Sequence, residues 1–244
     1  MNAAPVDTRP GFRRRVVVAM RVGAVAAMLE DDMHCLSVIL RHHAGYVTAV
    51  EPTFARAPWT TCPGAAEKLI ETFVGQPLAE VNARREKKAN CTHFHDLAVL
   101  AAAHAGGTGN FTYDIIATDP VAGLRSIELR RDGVLIHAWR EQDRVLTAPP
   151  EIAGLTLLTL RDWIAALDGM EQEAARLLQW SAIVATGRTL PLAQQSDASA
   201  MPANCYTFQP ERAVHARLVG VRRDFSDGSE MPLKSLAAEV LARL

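Results

Sequence analysis

Residues 33–54 read MHCLSVILRHHAGYVTAVEPTF, and this stretch decides the fold class. Two β-rich segments, 33–41 and 45–54, flank the short connection His42-His43-Ala44-Gly45. A short connection that ends in glycine between two such segments is typical of a β-hairpin. A further β-rich segment at 13–29 precedes the pair. We therefore expect the chain to begin with antiparallel sheet.

The second half of the chain repeats this pattern. Its β-rich segments lie near 111–118, 124–131 and 134–141, and Arg131-Asp132-Gly133 joins the last two. Asp-Gly between two β-rich segments is a strong hairpin signal, because both residues tolerate a positive φ. We predict an α+β fold in which helices pack on one face of an antiparallel sheet, with an additional hairpin and helices in the second half.

Apolar residues at helical spacing follow each group of β-rich segments. The glycine-dense stretch Ala105–Asn110 divides the chain. We expect residues 1–106 to form an α+β half that carries the site, and residues 107–244 to pack on it as one compact unit. The polar stretch Ala193–Ala203 is expected to be a loop. Helices are expected at about 63–75, 92–105, 159–167, 171–186 and 232–244.

Charge and cysteine content limit the possible partners. The chain has 26 Lys and Arg against 27 Asp and Glu, a formal charge of −1, which argues against nucleic acid and anionic membranes as partners. Arg13, Arg14 and Arg15 before an apolar run resemble a secretory signal, but Arg21 interrupts that run. Four cysteines are too few for a disulfide scaffold. We expect a cytoplasmic protein that acts on a small-molecule substrate. Whether the chain forms a homo-oligomer is left open.

Two cysteines lie where helices begin. Cys62 precedes Pro63, a residue that suits the first helical turn, and Cys91 precedes Thr92, a good N-cap. The positive end of a helix favours the thiolate, which attacks electrophiles and binds metals. Packing in the core is the alternative for both. For Cys35 and Cys205, core packing is our expectation.

Other polar residues surround these cysteines in sequence. If the first hairpin packs against both helix starts, thiols, imidazoles, carboxylates and a guanidinium would converge on one cleft. Such a mixture can hold zinc or transfer protons near neutral pH. Asp96 has the alternative role of complementing the helix dipole. The residues concerned are Asp31, Asp32, His34, Arg56, His93, His95 and Asp96.

Four strings in this region resemble a bacterial family defined only as a domain of unknown function. They are Asp32-Met33-His34, Arg56-Ala57-Pro58, Cys62-Pro63-Gly64-Ala65, and the stretch from Cys91 to Leu97 that reads CTHFHDL. The family carries D-x-H, R-x-P, C-P-G-A and C-T-H-x-x-D-L motifs in the same order. The resemblance covers roughly residues 13–106. It implies a shared site but names no reaction.

The first half is also similar in order to the NifU-type iron–sulfur cluster scaffolds. In that family an acidic residue opens a hairpin, one cysteine begins a helix that ends in a Gly-x-x-Leu turn, and another cysteine begins the next helix. The corresponding positions are Asp32, Cys62 with Gly75-Gln76-Pro77-Leu78, and Cys91. The resemblance implies that Asp32, Cys62 and Cys91 meet at one metal or cluster site.

The chain departs from the scaffold pattern at two ligand positions. Glu30 stands where that family has a cysteine, and Asn90 stands where it has a histidine. Cluster assembly is therefore not expected. His34 or His93 would replace the missing ligands in a zinc-like site, because thiolate, imidazole and carboxylate all suit zinc. The predicted metal ligands are Asp32, Cys62, Cys91 and His93.

The leading interpretation is a small-molecule enzyme whose main step is proton transfer. We expect a lyase, or an isomerase or hydrolase, acting on an apolar or aromatic metabolite that bears oxygen. His34 with Asp32 would be the general acid or base, and Arg56 would bind a substrate oxygen. Cys62 or Cys91 would be nucleophile or ligand, with His93 beside them. Trp59 and His95 are the predicted substrate-binding residues.

No dinucleotide fingerprint, P-loop or nucleophile-elbow string occurs in the sequence. We therefore expect no organic cofactor, and zinc is the candidate ion. Two other interpretations stay open. The chain could be a metal-binding or thiol module that performs no catalysis of its own, or a structural protein in which these residues only cap helices and pack.

Overall fold

The structure is a computed structural model that describes residues 8–81, 83, 86–189 and 196–244. Within these residues, α-helices and antiparallel strands occur together, which confirms the predicted α+β class. The strands are β1 (Gly11–Arg21), β2 (Ala24–Asp31), β3 (Cys35–His43), β4 (Tyr46–Arg56), β5 (Gly109–Thr118), β6 (Leu124–Arg131), β7 (Val134–Gln142) and β8 (Val145–Ala148). The α-helices are α1 (Ala65–Phe73), α2 (Leu78–Val81), α3 (Thr92–Ala103), α4 (Arg161–Ala166), α5 (Gly169–Ala185), α6 (Pro210–Ala213) and α7 (Leu236–Leu241).

The chain divides into two compact units, each assembled from segments that are distant in sequence. The unit that we call the histidine unit comprises Val16–Phe111, Pro191–Arg223 and Leu233–Leu244. The unit that we call the cleft unit comprises Met1–Arg15, Thr112–Leu190 and Asp224–Pro232. Residues 193–195 of the expected loop lie outside the described residues.

In the histidine unit the strand order is β4-β3-β2-β1. The predicted hairpin between β3 and β4 is confirmed, and His43 pairs with Tyr46 across a two-residue loop. Ala44 and Gly45 in this loop have φ of 49° and 82°, as the hairpin turn with two positive φ angles requires. The predicted β-rich segment 13–29 is two strands, because the chain turns at Gly23 between β1 and β2.

One of the two central strands of this unit, β2, is buried along its whole length. Helix α7 packs against Ala26 and Met28 of this strand. Successive residues of a strand point to opposite faces, so burial of the alternate residues Val25, Ala27 and Leu29 means that both faces of β2 are covered. Both α1 and α3 contact strands of the same sheet. The end of β2 therefore lies in a region from which water is largely excluded.

The C-terminal helix is shorter than expected. The sequence predicts helix from Pro232, but α7 begins at Leu236. Leu233 has a φ of 69°, and its N–H donates to Glu30 Oε2 at 2.6 Å instead of entering a helix. The competing interaction with a buried carboxylate therefore delays the start of α7.

In the cleft unit the strand order is β5-β6-β7-β8. The hairpin predicted at Arg131-Asp132-Gly133 is confirmed, since Asp132 and Gly133 have φ of 49° and 83°. Helix α5 contacts β6 and β7. Among the described residues, no helix is both long enough and apolar enough to cross a membrane.

Candidate active site

The turn between β2 and β3 builds the first part of the site. Asp31 ends β2, and its Oδ1 accepts the backbone N–H groups of Met33 and His34, both at 2.8 Å. The Asp31 N–H donates to the His34 carbonyl at 2.8 Å, which closes the turn. Aspartate favours this arrangement because its short carboxylate reaches backbone donors two residues on. The carboxylate of Asp31 is therefore fixed before any ligand arrives.

The same carboxylate orients the His34 ring. His34 Nδ1 lies 3.1 Å from Asp31 Oδ1. Because a carboxylate can only accept, this contact assigns the proton of the neutral ring to Nδ1 and leaves Nε2 as an acceptor. The His34 side chain retains 14% exposure, whereas the Asp31 side chain has none. His34 is thus the member of this pair that can meet a substrate.

Arg56 at the end of β4 holds this turn in place. Its Nη1 donates to the Asp32 carbonyl at 2.8 Å, and its Nη2 donates to the Asp31 carbonyl at 2.6 Å. The Nη2 atom also lies 3.1 Å from Glu30 Oε1, so that the guanidinium neutralises a buried carboxylate. The sequence interpretation gives Arg56 a substrate oxygen to bind. In the structure Nη1 and Nη2 donate to the protein and position the turn, and substrate binding by Arg56 stays a prediction.

The third side chain comes from the first turn of α3. His93 is buried, and its ring lies on that of His34, with centroids 4.0 Å apart and planes tilted by 31°. One ligand atom from each of Asp31, His34 and His93 lies within 4.8 Å of the other two. In the part of the chain that the structure describes, this is the one such group of three or more His, Cys, Asp or Glu residues.

The carboxylate of this group comes from Asp31, one position before the predicted Asp32, and the predicted ligands Cys62 and Cys91 are not part of the group. The sequence pairs His34 with Asp32, but Asp31 supplies the carboxylate that contacts the ring. Asp32 is buried, and its carbonyl accepts from Arg56 and from the Arg223 N–H. Of the predicted metal ligands, His93 belongs to the group that the structure forms. The roles predicted for Asp32 and the cysteines stay predictions.

Three thiols form a second cluster in the histidine unit. Cys62, Cys91 and Cys205 come from separate segments and lie close enough that a charge on the Cys62 thiol would raise the pKa values of the other two. Burial raises the pKa of Cys91 to about 12 and also raises the pKa values of Cys62 and Cys205. Backbone N–H groups at the start of α3 lower the pKa of Cys91, as the helix-dipole argument expects, but the loss of hydration outweighs them. These thiols are therefore protonated at neutral pH.

The two predicted substrate-binding residues lie in packed surroundings. Trp59 is buried in a hydrophobic cluster and meets the edge of Phe208, with centroids 5.7 Å apart. His95 is buried against Phe73, with centroids 5.2 Å apart, and neither of its ring nitrogens has a hydrogen-bond partner among the described residues. Substrate contacts by Trp59 and His95 stay predictions.

The cleft unit contains a cavity of about 670 Å³. Two of its lining carboxylates are paired with arginines: Glu141 accepts from Arg125 at 2.9 Å, and Asp119 accepts from Arg188 at 3.0 Å. Among the described residues that line it, none is histidine or cysteine. This cavity offers room for a ligand but no imidazole to exchange protons.

No protein-family model matches the chain, and no curated protein matches it either. What the site can do is therefore derived from its own residues. Among them, the Asp31–His34 pair with His93 against it has the geometry best suited to chemistry.

Proposed function

We propose that this chain is a small-molecule enzyme that transfers protons at the Asp31–His34 pair. The observation that carries the proposal is the 3.1 Å contact between Asp31 Oδ1 and His34 Nδ1 on a ring that remains partly exposed. A carboxylate behind an imidazole fixes its tautomer and stabilises the protonated ring that forms when Nε2 takes a proton. Histidine is also the side chain that exchanges protons most readily near neutral pH.

The reaction class that we propose is that of a lyase, or of an isomerase or hydrolase. Each of these reactions removes a proton at one position and returns a proton at another. His34 would remove the first proton through Nε2, and His93, stacked on it, supplies a second imidazole for the return. The buried thiols are not assigned to this step, because burial favours their protonated form. We further propose, on the basis of the sequence alone, that the substrate is an apolar or aromatic metabolite that bears oxygen.

We also propose that the protein works in the cytoplasm. Cys35, Cys62, Cys91 and Cys205 are all free. Free thiols without disulfides suit a reducing compartment, where thioredoxin and glutathione keep cysteines reduced.

A thermal-shift screen of small carboxylic, phenolic and carbonyl compounds, performed in the presence of EDTA, tests the proposed function. A ligand at about 100 times its Kd stabilises the folded state by about 2.7 kcal/mol, which raises Tm by several degrees. We expect such a response from wild-type protein and its loss in His34→Ala. The matched control is His104→Ala, at the far end of α3, which should respond like wild type.

Compounds that raise Tm are then incubated with the protein, and product formation is followed by mass spectrometry. We expect turnover by wild type and by the control, and none by His34→Ala. A ligand response that survives His34→Ala would place the binding site elsewhere. Binding without any turnover would contradict the assignment as an enzyme.

A further inference from the structure

We propose that Asp31, His34 and His93 together bind a divalent transition-metal ion, for which Zn²⁺ is the probe. This inference rests on the proposed function, because it places the ion at the same acid–base site. It goes further because the ion would displace the Nδ1 proton of His34 to solvent when it binds, so that in the metal-bound state water on the ion, rather than His34 Nε2, would supply the base. Asp31 replaces Asp32 as the carboxylate ligand, and the cysteines are not ligands.

The donor set has the right chemistry for such an ion. One carboxylate and two imidazoles hold zinc in several hydrolases and ferrous iron in many oxygenases. Three protein ligands leave coordination positions for water or substrate, whereas structural zinc sites use four. The group of Asp31, His34 and His93 therefore fits a catalytic ion better than a structural one.

The spacing of the three side chains is close to what coordination requires. Zinc binds nitrogen and oxygen at about 2.0–2.2 Å, which places two ligand atoms about 3.0–3.5 Å apart. Asp31 Oδ1 and His34 Nδ1 are 3.1 Å apart, and the three ligand atoms all lie within 4.8 Å of one another. Separations of up to 4.8 Å exceed this range by about 1 Å, so binding an ion would draw the three side chains slightly closer together.

The surroundings hold two of these ligands in advance. Two backbone N–H groups fix the Asp31 carboxylate, and Arg56 fixes the carbonyls of Asp31 and Asp32 on the same turn. His93 lies in the first turn of α3, next to Phe94. Because Phe94 is fully buried, this turn and His93 with it are held in place. Partners that orient ligands in this way strengthen metal binding, and their loss typically weakens it 10- to 100-fold.

Isothermal titration of the full-length, EDTA-treated and desalted protein with ZnCl₂ tests the inference. We expect about one Zn²⁺ per chain for wild type and a loss of affinity of at least about 100-fold in His34→Gln, His93→Gln and Asp31→Asn. Asparagine keeps the oxygen that accepts the turn N–H groups, so Asp31→Asn tests the charge rather than the fold. The matched controls are His104→Gln and Cys91→Ser, which should bind Zn²⁺ like wild type.

Two results would overturn the metal site. One is the absence of Zn²⁺ binding to folded wild-type protein at micromolar concentration. The other is binding that Cys62→Ser or Cys91→Ser removes and His34→Gln does not, which would favour the thiol cluster. If either is seen while ligand response and turnover in EDTA still require His34, the metal inference fails and the proton-transfer proposal stands. If ligand binding and turnover never require His34, the proposed function fails whatever the titration shows.

Discussion

Replacement of Arg56 by methionine is expected to lower the free energy of unfolding by about 3–5 kcal/mol, because it leaves a buried charge without one of its partners. Arg56 and Arg223 both pair with Glu30, whose side chain is only 7% exposed. The same guanidinium also donates to the carbonyls of Asp31 and Asp32, and methionine can donate to neither. Urea unfolding of the two proteins, followed by circular dichroism, measures the difference.

The control for Arg56 is Arg41→Met on the neighbouring strand β3. Arg41 pairs with Glu51, but both side chains are about one-third exposed. Exposed ion pairs contribute about 0–1 kcal/mol, so this variant should lose no more than that. Equal losses in the two variants would contradict the role of Arg56 as the residue that holds the turn.

The second large effect is expected for Phe94→Ala, at about 3–5 kcal/mol, the range seen when a buried phenylalanine is truncated. Phe94 is fully buried, and its ring lies 4.3 Å from that of Phe54 on β4, centroid to centroid. This contact fixes the first turn of α3 against the strand that also carries Arg56. We therefore expect Phe94→Ala to weaken Zn²⁺ binding as well, although Phe94 offers no ligand atom.

Ile70→Ala on α1 is the control for Phe94. Ile70 is 39% exposed, and truncation there removes much less buried surface, so we expect a loss below about 1.5 kcal/mol. Thermal and urea unfolding of both variants provide the comparison. A loss of under 1 kcal/mol for Phe94→Ala would show that α3 is held in place by other contacts.

Features that depend on neighbouring residues could be predicted from the sequence. Gly45 and Asp132-Gly133 signal the two hairpin turns because these residues accept positive φ. The start of α3 is predicted to within one residue, but its N-cap is Cys91 and no side chain caps it, so the N-cap predicted at Thr92 is wrong. The shortened α7 could not be predicted in this way. It depends on Glu30, which is about 200 residues away in sequence and binds the Leu233 N–H.

The site was predicted in part. The sequence singles out His34 and His93, but the choice between Asp31 and Asp32 depends on which carboxylate the turn directs towards the His34 ring, and adjacent residues look equivalent in a sequence. No local signal separates the two, because either aspartate could accept the backbone N–H two residues on. Cys205 lies near Cys62 only because of long-range packing, and no local pattern in the sequence reveals this proximity.

The most direct test of the central claim is the tautomer of His34, observed by long-range ¹H–¹⁵N NMR of the imidazole rings in EDTA-treated protein. For the neutral ring we predict a proton on Nδ1 and an unprotonated Nε2, because Asp31 Oδ1 can only accept from Nδ1. Asp31→Asn should reduce this preference, while the signals of His104 should not change. A His34 ring that carries its proton on Nε2, or that is indifferent to Asp31→Asn, would contradict the assignment of His34 as the base oriented by Asp31.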